Sequence, residues 1–262
     1  MNLTKTFVSA TVGITLATMA WAAPTDHPFG TDIFHFKEQT ALADQGVEPG
    51  ATGNVSGMHD QQGQADIQKI DIVVKNLTPG TPYEVDALID GGGDFVPVDA
   101  FVTDAAGSAA LHYQKIVNSH GNAQANGRGK RALPTQMNPV NMVIGVAIVD
   151  TNAQPVLAAD LLAPDHMQIL IKRDISSAQV PALMILQAND VRSTVKINAF
   201  GLAPNGTYSL ALNNQVVATG TAAGNGRLSI GTTLTNATDV LHLFSVSLLD
   251  GNNSMVVGTP LP

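Results

Sequence analysis

Apolar and polar residues alternate in short runs along most of this chain. Period-two alternation over four to eight residues marks a half-buried β-strand. The clearest run is Ile70-Asp71-Ile72-Val73-Val74-Lys75, and similar runs fall at 83–89, 95–103, 108–113 and 155–161. Further ones fall at 182–186, 194–200, 207–212, 216–221, 227–230 and 255–257. Two stretches, 140–149 and 241–249, are more continuously apolar and predict central strands. Ile33-Phe34-His35-Phe36-Lys37 and the run at 167–171 predict lead-in strands. Between runs the chain carries turn chemistry: Pro79-Gly80, Asp90-Gly91-Gly92-Gly93-Asp94 and Asn213-Asn214. No long helical period occurs; residues 168–179 have room for one short helical turn.

The pattern also repeats. The stretch from Ile70 to Val85 returns from Val195 to Leu210 at one constant offset, with Leu77 matching Leu202, Pro79 matching Pro204 and Tyr83 matching Tyr208. Asp150-Thr151-Asn152-Ala153 likewise matches Asp250-Gly251-Asn252-Asn253. Such self-similarity points to two copies of one supersecondary unit. The expected fold is all-β: two tandem antiparallel β-sandwich domains of immunoglobulin-like size. A small antiparallel barrel is the rival architecture. The expected boundaries are a signal peptide at 1–22, an N-terminal lead-in at 23–52, a first sandwich at 53–163 and a second at 164–262. Tyr83 and Tyr208 each follow a proline corner, which resembles the tyrosine corner of Greek-key sandwiches and implies a structural role.

The N-terminal pattern supplies the expected location. Lys5 precedes an uncharged apolar run over 7–20, shorter than the ~20 residues a spanning helix needs, and Ala20-Trp21-Ala22 fits a cleavage site. The expectation is a secreted protein, extracellular or periplasmic. Cysteine is absent, so thiol catalysis and zinc–thiolate sites fall away and the cores must be held by packing. A net charge of −8 argues against nucleic acid as a partner, because phosphate neutralisation needs a basic face. Only 13% of residues are charged, so Thr, Asn, Gln and Ser must carry the surface.

Candidate chemistry is sparse. No nucleophile elbow or phosphate loop is present. His112 and His120, with Met137 and Met142 downstream, are a possible copper set, and Met58-His59-Asp60 is a second. Asp86, Asp90, Asp94, Asp99 and Asp104 surround the glycine loop, where calcium would want carboxylates, but their spacing matches no calcium-loop motif. The first copy alone carries a long polar insertion from Lys115 to Pro139, read either as a floppy loop or as a binding loop. No catalytic, cofactor-binding or metal residue is assigned. The leading expectation is an exported non-enzymatic structural or adhesive protein that contacts a protein partner or itself, in an extracellular or cell-surface assembly. The alternative is an exported copper- or calcium-binding protein.

Overall fold

The computed structural model describes residues 32–234, 240 and 243–261; the signal peptide expected at 1–22 lies outside the described residues. The first half contains β1 (Ile33–Asp44), β2 (Thr52–Gln62), β3 (Ala65–Lys75), β4 (Pro82–Ile89), β5 (Val96–Val102), β6 (Ala109–Val117), β7 (Arg131–Ala132), β8 (Val143–Val149) and β9 (Pro155–Asp160). The second contains β10 (His166–Asp174), β11 (Ala182–Asn189), β12 (Ser193–Ala199), β13 (Thr207–Leu212), β14 (Gln215–Thr221), β15 (Leu228–Leu234), β16 (Ser245–Leu249) and β17 (Met255–Pro260). Two 3-10 turns, Thr135–Met137 and Val140–Met142, interrupt the strands of the first half.

The fold is all-β and sandwich-like, and the two halves share one strand order. In the first, β1-β2-β3-β6 faces β5-β4-β8-β9; in the second, β10-β11-β12-β15 faces β14-β13-β16-β17. Each half closes over its own core. Strands equivalent in sequence are therefore equivalent in space.

The halves do not stand apart. β1 pairs antiparallel with β2 on one side and with β10 on the other, so a single sheet runs from β15 to β7 across both cores. At its end β1 turns to pair with β9, through Ala43–Ala158 and Asp44–Leu157, which joins the facing layer of the first half and gives the sheet the curl of a half-barrel. The Asp165 carboxylate covers the gap where β1 leaves β10, accepting from the Ala41 amide at 2.8 Å and the Thr40 hydroxyl at 3.1 Å.

Repeated turn chemistry fixes both halves. Gly80 and Asn205, each after a proline, take φ of 65° and 60°. The Thr78 amide donates to the Tyr83 hydroxyl at 3.2 Å and the Ala203 amide to the Tyr208 hydroxyl at 3.0 Å. Gly107 and Gly226 sit at positive φ where an added Cβ would meet the carbonyl oxygen of Leu77 at 2.0 Å and of Leu202 at 2.6 Å. Only glycine fits either place.

Several expectations need correction. Residues 168–179 hold no helical turn: most belong to β10, whose alternating Met167, Ile169 and Ile171 are buried. The strand expected from Val140 starts at Val143, after a 3-10 turn, and the one expected from residue 241 starts at Ser245. β2 was not foreseen. Its sequence, Thr-Gly-Asn-Val-Ser-Gly-Met-His-Asp-Gln-Gln, lacks apolar residues at most inward positions. The insertion is tied down: β7 pairs in parallel with β6, Arg131 bonds Asp99 and lies over the Tyr113 ring, and Met137 is fully buried. It covers the edge of the long sheet, which would otherwise present unpaired backbone groups.

Candidate binding cleft between the two cores

β1 runs Ile-Phe-His-Phe-Lys-Glu-Gln-Thr-Ala-Leu-Ala-Asp, and strand alternation turns its even positions inward. Phe34 and Phe36 join the core of the second half, with rings 6.5 Å apart. Leu42 joins the core of the first. Between them, where the inward row passes from one core to the other, stand Glu38 and Thr40, both buried.

Glu38 is 3% exposed, and its Oε1 has no hydrogen-bond partner. Ladder register sets it between Met167 of β10 and Gly57 of β2. Burial pushes its carboxyl from 4.5 up to about 8, because removing water penalises the charged form. It is therefore mostly protonated at neutral pH. A buried polar atom left unpaired costs roughly 1–3 kcal/mol, so its retention calls for an explanation.

Glu38 lines a cleft of about 360 Å³ between the two cores. β1 gives Phe34 and Phe36, β10 gives Ile169 and Ile171, and the end of β9 leads to Leu161 and Leu162. Residues 141–144 form one wall; Val240, Leu243, Phe244 and Leu261 of the second half form the other. Phe244 is 60% exposed at this wall. Among the described residues, the polar ones lining the cleft are Glu38, Asp90 and Asn141. Its size and its mostly apolar lining match small-molecule sites, which run roughly 300–1,000 Å³.

A polar network fixes the 141–144 wall. Asn141 Oδ1 lies 2.7 Å from His59 Nδ1, and His59 Nε2 lies 3.1 Å from Asp66 Oδ1. Lys115 Nζ donates to Asp66 at 2.8 Å and to Asn138 at 3.2 Å. Gln68 donates to Asp66 and accepts from the Val140 amide at 2.9 Å. Burial favours a raised Asp66 carboxyl, but hydrogen bonds from His59, Lys115 and Gln68, with the charge on His59, outweigh it and hold the group at about 2. The His59 ring meets Phe34 edge-on, 5.0 Å between centroids.

The metal sets read from sequence are not brought together. His112 pairs with Asp71 at 2.5 Å on the face of the long sheet opposite the core, His120 lies exposed in the insertion, Met137 is in the first core and Met142 is at the cleft. Met58 and His59 point to opposite faces of β2. Of the acidic set, Asp99 bonds Tyr113 and Arg131, and Asp104 caps its own turn. No group of three or more His, Asp or Glu among the described residues could hold a metal ion. No helix among them is long and apolar enough to cross a membrane.

Sequence reasoning missed Glu38. Its signal was an acid at an inward position of an otherwise apolar alternation, two residues after Phe36. Comparison with known proteins adds nothing to this geometry: no family model, curated protein or solved structure matches the chain.

Proposed function

We propose that this chain is an exported, non-enzymatic interaction protein of two immunoglobulin-like units, and that it binds a small apolar molecule in the cleft between them. One observation carries the reading: a buried carboxyl without a partner on the floor of an apolar cleft. A polar group is kept in such a place when a ligand completes its hydrogen bonding. Absence of catalysis is favoured by the sequence, which carries no nucleophile elbow or phosphate loop. His59, the nearest base, is spent on Asn141 and Asp66. The immunoglobulin-like reading rests on crossovers between facing layers, β3 to β4 and β5 to β6 in the first half and β12 to β13 and β14 to β15 in the second. Export rests on the N-terminal sequence pattern.

Titration with N-phenyl-1-naphthylamine, whose fluorescence rises in apolar sites, tests the reading. Saturable one-to-one binding is expected, and Leu162→Trp should weaken it by narrowing the cleft from a half-exposed wall position. Binding that never saturates, or that ignores Leu162→Trp, would sink the proposal.

A second reading, self-association in an extracellular assembly, is favoured by β14. Among the described residues this strand pairs on one side only, with β13, and its sequence Gln-Val-Val-Ala-Thr-Gly-Thr has neither charge nor proline to block strand addition. Sedimentation of the protein beside Val217→Lys, a half-exposed edge position, separates an associating edge from an inert one.

A further inference from the structure

We infer that the cleft takes an apolar amine: a cationic head seated against Glu38, with a hydrocarbon body lying along Phe34, Phe36 and Ile169. The inference rests on the ligand-binding reading above and names the ligand's chemistry.

Three features select that chemistry. Among the described residues, the titratable ones lining the cleft are Glu38 and Asp90, both acids, and no Lys, Arg or His lines it. An anionic head, such as a fatty acid carboxylate, would meet Asp90 and, among the described residues, no counter-charge, which is unfavourable in a poorly hydrated site. Glu38 Oε1 lacks a donor, and an ammonium group supplies donors and nothing else. The Asn141 side chain adds a polar contact at the same wall.

Geometry sets the carboxyl at the end of the apolar row. Gly57, opposite Glu38, has no side chain to crowd the carboxyl; a Cβ there would lie 2.8 Å from Oε1. The inward row then continues through Phe36 and Phe34 toward the second core, so an unbranched chain can follow the strand away from Glu38. Burial keeps the unliganded carboxyl protonated. An approaching ammonium favours its ionised form and gains a charge-assisted hydrogen bond.

Calorimetric titration of the purified protein at pH 7 with octylammonium, 1-octanol and octanoate is the test, repeated on Glu38→Gln. Octylammonium should bind at least about tenfold tighter than octanol, as one charge-assisted hydrogen bond implies. Octanoate should bind weakest. Glu38→Gln should erase most of the amine's advantage while leaving octanol within about threefold of its original affinity, since a neutral isostere fills the same space. If octanol or octanoate matches octylammonium, the amine inference is overturned and the cleft reading stands. If Glu38→Gln leaves the octylammonium affinity unchanged, the inference is overturned. If none of the three binds, both fall. A thermal melt of each protein confirms that the variant is folded, so that loss of binding is not loss of structure.

Discussion

Glu38 lies directly across the β1–β2 ladder from Gly57, and a Cβ at position 57 would fall 2.8 Å from Glu38 Oε1 and 3.2 Å from Val140 Cγ1. The glycine is there for space, since its φ is not in the left-handed region. A side chain at 57 would press the carboxyl on one side and the Val140 turn on the other. Gly57→Ala is therefore expected to cost about 1–3 kcal/mol of stability, as overpacking does, and to weaken amphiphile binding by displacing Glu38. Chemical denaturation and titration of the same variant check both effects.

The raised Glu38 carboxyl makes stability depend on pH in a set direction. Below 4.5 the group is protonated folded or unfolded, and its contribution is full. As pH rises from 4.5 toward 8 the unfolded chain releases this proton while the folded chain holds it, so stability falls, by up to about 1.4 kcal/mol per pH unit. Glu38→Gln removes the group. The Tm difference, variant minus wild type, should grow steadily between pH 5 and 8, and a constant difference would show that Glu38 ionises freely.

Asp66 works in the opposite direction. Its carboxyl is held at about 2, below the ordinary 3.8, so it stabilises the fold above 3.8 and loses that effect as pH falls toward 2. Asp66→Asn should cost roughly 2 kcal/mol at neutral pH, and the cost should fade in acid. Urea midpoints at pH 7, 4 and 2.5 would expose the trend. Because Asp66 anchors His59 and Lys115, the 141–144 wall should loosen as well, readable as faster amide exchange at Val140.

Much of the fold was legible because its determinants are local. The Pro79-Gly80 and Pro204-Asn205 corners, the Asn213-Asn214 hairpin and the two tyrosines act within a few residues, and alternation announced most strands. β2 was illegible because its inward row is built to accommodate others: Gly57 yields to Glu38, and His59 serves the polar network rather than a core. The start of β8 was misplaced because the Val140 amide is claimed by Gln68, 72 positions earlier in the chain. The cleft itself arises from two cores meeting along one strand. Nothing in the run Phe34-His35-Phe36 says that these rings belong with strands more than 130 positions away.

That distant allegiance yields a last prediction. Phe36 lies in the opening strand of the first half, yet it is 4% exposed and packed in the core of the second. Phe36→Ala should destabilise by about 3–5 kcal/mol, the usual cost of emptying an aromatic site in a core. Hydrogen exchange tells where the loss falls. If β1 is the seam, protection should drop first in β13 and β16, which close over Phe36's core, while β4 and β8 of the first half keep theirs. Should the first-half strands lose protection first, the ring would be serving the core nearest in sequence, and β1 would not be shared. The β1–β10 ladder, seven residue pairs from Ile33–Lys172 to Gln39–His166, also ties the two halves through backbone hydrogen bonds that the substitution leaves intact. The variant is thus expected to remain one body with a softened second half, melting earlier and over a broader range than the wild type.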